Sequence, residues 1–485
     1  MKATDVFTVG CYIGGKWTFP DETRIIEVKN PADGSLIARV PRGDQEEVDL
    51  AVQAAKKAFY SEEWRVLQPY KRGKILFEMA EMIRQHKKEL ARLETLNVGK
   101  PLNQAEVDVE VAARYFEFYA GVADKIMGET IPIESGIIDY TVREPIGIVG
   151  HIIPWNYPLQ IAARSIAVSI ATGNAAVLKP AEDTPLTTLK LVELMESLEL
   201  PKGIVNVVTG YGHEAGAALS AHKEINHITF TGSVETGKRV MEAAAQNIVP
   251  VTLELGGKSP NIVFADCNEE KALEWVLRSI VQNAGQTCSA GSRLVIEKSI
   301  KETFVPKLAA AMEKLTIGPG IDNHDLGPVL SKKQFERIQS FIDTAKADGI
   351  HIVTGGKRAF VENCEYGYYI QPTILDNVPP NHLVAQEEIF GPVLTVTTFE
   401  SEDEAIVLAN STPYGLVAGV WTENVGRAHR VANQLQCGQV FINHYGAGGG
   451  VPMPFGGYKQ SGFGREKGLE AIRNYTQVKN IAVKY

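Results

Sequence analysis

The chain has 485 residues, 44% of them hydrophobic and 22% charged, with a formal net charge of −9. That length exceeds what one compact core usually holds, so two or three domains are expected. The composition is that of an ordinary globular protein, and the acidic balance argues against a nucleic-acid partner or an anionic membrane surface.

No apolar run approaches the roughly 18 residues of a membrane span, and Met1-Lys2-Ala3-Thr4-Asp5 carries no signal-peptide pattern. Cys11, Cys267, Cys288, Cys364 and Cys437 form an odd, sparse set without Cys-x-x-Cys spacing. Reduced thiols in a cytoplasmic compartment are expected, and no metal site.

Residues 10–40 read as short strands separated by turns. Asp44 and Glu47 have capping-box spacing, and Val48, Val52, Ala55 and Phe59 follow at helical intervals. Two further helices are expected over 70–96 and 103–125, with Asn97-Val98-Gly99-Lys100-Pro101 as the stop between them. Over 131–144, Ile138, Tyr140 and Val142 alternate with Asp139, Thr141 and Arg143, the pattern of a half-buried hairpin strand. The last residues, 475–485, read as another strand.

From Ile146 the rhythm becomes strand, helix, strand. Apolar runs at 146–152, 175–178, 204–208, 227–230 and 251–255 alternate with helices, and Thr184-Pro185 is expected to cap the one bearing Leu191, Leu194, Met195 and Leu198. This implies a parallel sheet covered on both faces, with ligands at the carboxyl ends of its strands. After Pro260 the alternation restarts, with helices near 268–283, 300–315 and 332–347, as a second α/β domain reaching about Pro452. Gly446-Ala447-Gly448-Gly449-Gly450 reads as a flexible loop.

Two stretches carry chemistry. Thr252-Leu253-Glu254-Leu255-Gly256-Gly257-Lys258-Ser259-Pro260 puts a carboxylate on a short strand that runs into two glycines, which would let the backbone near Glu254 adapt. Asn283-Ala284-Gly285-Gln286-Thr287-Cys288 puts a thiol among small and hydrogen-bonding residues. Cys267 and Cys364 have acidic neighbours that disfavour a thiolate, whereas Cys288 has none within five positions on either side. A thiol nucleophile and a movable carboxylate are the parts needed to attack a carbonyl and later activate a water. Phe230-Thr231-Gly232-Ser233 is a strand ending at a helix N-terminus, where Ser233 either caps the helix or helps hold a phosphate. The glycine runs 210–216 and 462–464 miss the Gly-x-Gly-x-x-Gly spacing of a dinucleotide loop.

These segments resemble the aldehyde dehydrogenase superfamily. Pro154-Trp155-Asn156-Tyr157-Pro158, Lys179-Pro180-Ala181-Glu182 and Glu387-Glu388-Ile389-Phe390-Gly391-Pro392 match it in the same order, over nearly the whole chain. The resemblance implies a mixed α/β fold. Residues 1–127 and 146–255 would form a variant Rossmann cofactor domain and 256–455 a second, catalytic α/β domain. Residues 128–145 and 468–485 would form a small sheet joining subunits of a homo-dimer or homo-tetramer; the plainer reading is an edge hairpin.

The implied activity is NAD-dependent oxidation of an aldehyde to a carboxylic acid. Cys288 would be the nucleophile, Glu254 the base for water, and Asn156 with the Cys288 N–H the oxyanion donors. Trp155, Lys179, Glu182, Gly212, Gly232, Ser233, Glu388 and Phe390 would hold NAD. Glu182 accepts from two ribose hydroxyls but repels a 2′-phosphate, which favours NAD over NADP. Glu466 matches a family acid assigned to proton relay; pairing with Arg465 or Lys459 is the alternative.

The substrate is less constrained. Tyr157 would line the entrance. Arg164 stands where many members have tryptophan, which argues against a betaine-type substrate. It either pairs a substrate carboxylate, as in semialdehyde members, or makes a structural ion pair, and Arg164-Ser165-Ile166-Ala167 leans towards aromatic aldehydes. A coenzyme A-acylating enzyme and a non-catalytic protein on the same fold are the other readings; retention of Glu254, Cys288 and Asn156 disfavours both.

Overall fold

β-Branched runs alternating with amphipathic helices build the two larger of the four sheets among the described residues. The computed structural model describes residues 7–19, 23–446 and 450–485. Among these, the first sheet has eight strands, in the spatial order Gly462–Phe463, Val251–Glu254, His227–Thr231, Ile148–Ile153, Ala175–Pro180, Val205–Val207, Cys11–Ile13 and Lys16–Thr18. Neighbours from Val251–Glu254 to Val205–Val207 are parallel, and the outer pairings are antiparallel. The winding reverses between Ile148–Ile153 and His227–Thr231, and it is at such a reversal that loops part to leave a ligand crevice.

Val149, Val177 and Val207 are fully buried, as strands covered on both faces require. The helix Pro158–Thr172 starts with proline at its first turn and ends at Gly173, whose φ of 86° is left-handed. Nearly all of its residues are buried. The chain leaves the first sheet at Glu254 and enters the second at Pro260. The second sheet has the order His351–Thr354, Thr373–Asp376, Val393–Phe399, Arg293–Glu297, Pro260–Val263, Val417–Trp421, Gln439–Ile442, parallel except at the His351–Thr354 edge. No helix among the described residues is long and apolar enough to cross a membrane.

The Asp44–Glu47 capping box is present at the start of Gln45–Phe59. The helices expected near 268–283, 300–315 and 332–347 are Glu269–Val281, Lys298–Glu313 and Lys332–Ala347. Elsewhere the structure corrects the sequence reading. The single helix expected over 70–96 is two, Pro69–Gln85 and Lys87–Val98, divided at His86, whose backbone leaves the helical region at φ −97° and ψ 17°. Thr184 does not cap its helix: Leu186–Met195 follows Pro185, and the Thr184 hydroxyl is buried without a partner.

The strand expected over 131–144 is present, as Ile137–Pro145 beside Thr130–Ile131. Ile137–Pro145 pairs with Thr476–Lys484, yet Ile138 is 52% exposed and Asp139 only 7%. Ile138, on the apolar face of this strand, looks outward and is left uncovered by the described residues. The expected glycine loop at 446–450 lies largely outside the described residues.

Candidate active site

Cys288 follows a kinked turn. Asn283 and Ala284 have φ of 49° and 53°, a left-handed region that costs about 1–3 kcal/mol per non-glycine residue. The surroundings over-determine it. Gln104 Oε1 accepts from the Asn283 N–H at 2.9 Å, Asn283 Nδ2 donates to Asn156 O at 3.1 Å, and the Leu330 N–H donates to Gln286 Oε1 at 2.8 Å.

Glu254 ends its strand level with Thr231, and the Gly232 N–H donates to its carbonyl at 3.0 Å. Gly256 and Gly257 are needed here for closeness rather than for unusual torsions. A Cβ on Gly256 would run into the Glu388 carboxylate, and one on Gly257 would lie 2.6 Å from Cys288 O. The Gly257 N–H donates to Glu388 Oε1 at 2.9 Å. This tight crossing brings Glu388, Cys288 and the Glu254 strand to one place.

The electrostatics follow from that crowding. Burial pushes the half-buried Cys288 thiol up to about 12, with Glu388 and Glu254 adding to the effect and Lys467 and Arg164 opposing it. The lack of acidic sequence neighbours is thus undone by tertiary ones. Burial lifts the Glu254 carboxyl well above the usual range, against the pull of Arg164, and neither oxygen has a hydrogen-bond partner. Glu388 is raised to about 7, chiefly by burial, with the Gly257 N–H pulling it down.

Arg164 is buried, its Nε 3.3 Å from Glu466 Oε2 and its Nη2 3.3 Å from Thr231 Oγ1. Neither cation expected beside Glu466 reaches it. Arg465 donates to the Gly457 and Gly464 carbonyls, and Lys459 to those of Asn410 and Thr412. The helix Pro158–Thr172 carries Arg164 inward to Glu466 instead.

Asn156 is buried, and its Nδ2 donates to Gln286 O at 2.9 Å, leaving a second hydrogen on the same nitrogen. Tyr157 OH lies 2.9 Å from Thr287 Oγ1. Trp155 meets Phe390 edge-to-face at 5.1 Å, with Phe390 at φ 63°.

The remaining residues lie at the ends of neighbouring strands rather than beside Cys288. Lys179 Nζ contacts Glu182 Oε2 at 2.9 Å; burial pushes the Glu182 carboxyl up, but the charge and hydrogen bond of Lys179, with a backbone hydrogen bond, together bring it below its ordinary value. Ser233 accepts from the Thr236 N–H at 3.3 Å, so it caps its helix. Gly212 opens the one-turn segment Gly212–Gly216, where Glu214 accepts from Arg42 Nε at 2.9 Å.

Three further residues beside the site carry little signal in the sequence. In sequence Thr287 and Gln286 are only neighbours of Cys288, since a partner in a distant turn leaves no local signal. Lys258 is buried with no partner and lowered to about 7, by burial first and Arg293 second. Its one signal is a lysine inside an otherwise small and apolar run.

Among known proteins, the model of the aldehyde dehydrogenase family matches residues 17–481. The betaine aldehyde dehydrogenase of Bacillus subtilis is 43% identical over 97% of this chain and 96% of its own length. Aldehyde dehydrogenase 1 of Tanacetum cinerariifolium is 43% identical over 99% of this chain and 96% of its own. The NAD+ complex of a Bacillus cereus aldehyde dehydrogenase superposes with a TM-score of 0.96 at 42% identity, covering 98% of this chain and 96% of that one. With the thiol, the buried carboxyl and the doubly wound sheet in hand, and matches that run nearly end to end, this chain belongs to the aldehyde dehydrogenase family.

Proposed function

We propose that the chain oxidises an aldehyde to a carboxylic acid with NAD, through a covalent adduct on Cys288. The observation that carries this reading is the convergence of Cys288, Glu254 and Asn156 at the reversal point of the first sheet.

The steps assigned to the chain's residues are these. Cys288 releases its thiol proton to water, and its sulfur attacks the aldehyde carbon, giving a thiohemiacetal oxyanion. The free Asn156 Nδ2 hydrogen and the Cys288 N–H are the donors for that charge. NAD, when bound, would supply the hydride acceptor that turns this adduct into a thioester on Cys288. Glu254, lifted by burial, is a strong base once ionised and takes a proton from the water that attacks the thioester. The acid departs and Cys288 recovers its thiol.

The residues present fit NAD. Glu182, held ionised by Lys179, has two oxygens for ribose hydroxyls and no room in its charge balance for a 2′-phosphate. Glu388 and Phe390 border the Cys288 turn, where a nicotinamide ribose and ring would lie. Gly232, Ser233, Gly212 and Trp155 complete the set, in a cofactor domain of residues 1–127 and 146–255 facing a catalytic domain of 256–455. The outward apolar hairpin face, from 128–145 and 468–485, is assigned to a subunit contact.

For the substrate we favour an aldehyde without a carboxylate, an aromatic one first. Arg164 is already neutralised by Glu466, and a semialdehyde reading requires it to abandon that buried partner. The test is NADH formation with benzaldehyde, a hydroxybenzaldehyde and succinate semialdehyde, each with and without coenzyme A. Coenzyme A-independent oxidation led by an aromatic aldehyde is expected. No NADH from any aldehyde would remove the proposal.

A further inference from the structure

The side chain of Lys100 has no exposed surface at all. It sits between Gly99, whose φ of 91° closes the helix Lys87–Val98, and Pro101, which precedes Leu102–Ala120. Its Nζ lies 3.2 Å from Glu94 Oε1 and also donates to Asp108 Oδ2. The other carboxylate oxygens are satisfied as well. Thr187 Oγ1 donates to Glu94 Oε2 at 2.8 Å, and Gln160 Nε2 to Asp108 Oδ1 at 2.6 Å.

Enclosing three ionisable groups is a poor route to stability, because apolar side chains of similar volume commonly serve as well or better. The remaining face of the ammonium suggests what the cluster is for. It lies 4.1 Å from the centroid of the Tyr157 ring, and such a contact is strongest when desolvated. That ring carries the hydroxyl 2.9 Å from Thr287 Oγ1, one residue before Cys288. The lysine cannot drift away, since the backbone at Gly99 and Lys100 is packed so closely against Gly320 and Gly327 that neither glycine has room for a Cβ.

We propose that Lys100 is a positioning residue for Cys288: clamped by Glu94 and Asp108, its ammonium fixes the Tyr157 ring, whose phenol holds Thr287 and with it the Cys288 turn. The proposal rests on Cys288 being the nucleophile, as assigned above. It makes Tyr157 a link between a remote charge cluster and the turn that meets the aldehyde.

The test is a double-mutant cycle on the full chain, using Lys100→Met, Tyr157→Leu and the double variant, with kcat and backbone amide exchange over residues 283–293 as readouts. Each single variant is expected to lower kcat at least about tenfold and to speed exchange across the turn, and the double variant to be no worse than Tyr157→Leu alone. Effects that multiply in the double variant would overturn the proposal, since Lys100 would then act by another route. Tyr157→Phe keeps the ring over the ammonium and keeps the test open if Lys100→Met does not fold. Faster exchange over 283–293 with an unchanged Tm is expected; unchanged exchange and kcat overturn the proposal. Amide exchange needs no turnover, so an inactive wild type would count against the proposed function while the exchange readout still tested the positioning role.

Discussion

Arg164 Nε and Glu466 Oε2 stand 3.3 Å apart in a buried pair beside the unpartnered carboxyl of Glu254. Removing one member leaves the other charged and enclosed, which typically costs about 3–5 kcal/mol. Arg164→Leu is therefore expected to lower stability in urea titrations and to slow every aldehyde alike. A selective loss of succinate semialdehyde oxidation, by tenfold or so as a substrate ion pair would give, would instead assign Arg164 to the substrate.

Glu254→Gln separates the two chemical stages. It is expected to give a burst of NADH near one per site, followed by turnover reduced about 10²–10⁴-fold, the usual contribution of a general base. Stopped-flow absorbance reads both phases. Loss of the burst itself would mean that Glu254 also takes the Cys288 proton.

Glu388 offers a pH-dependent check. Its carboxylate helps push the Cys288 thiol up to about 12, and its own carboxyl is raised to about 7. Glu388→Gln removes that negative charge, so the thiolate fraction rises. Alkylation of Cys288 by iodoacetamide is expected to be faster in the variant above about pH 7, where Glu388 is ionised, and to match the wild type below it. A higher KM for NAD is expected in parallel.

On the outward hairpin face, Ile138 pairs with Val483 and both are well exposed. Ile138→Lys is expected to shift the protein to a smaller species by light scattering, with unchanged far-UV circular dichroism. An unaltered mass would mean that this face joins no subunits.

What the sequence determined by itself is local. Asp44 and Glu47 reach one another within a single helical turn, and Gly99 stops a helix because its own φ demands it. The strand–helix rhythm from Ile146 follows from side-chain period alone, as does the placing of Glu254 and Asn156 at or just beyond strand ends. Tertiary structure decided the rest, because charge and packing act through space. Cys288 has no acid near it in sequence but meets Glu388 and Glu254 in the fold. Arg164, rather than Arg465 or Lys459, meets Glu466 because its buried helix points it there. Lys100, legible only as part of a helix stop, is drawn under Tyr157 by two carboxylates on the helices that flank it, Lys87–Val98 and Leu102–Ala120. The hairpin's alternation specified two faces without saying which would be covered; that depended on the rest of the chain leaving Ile138 bare.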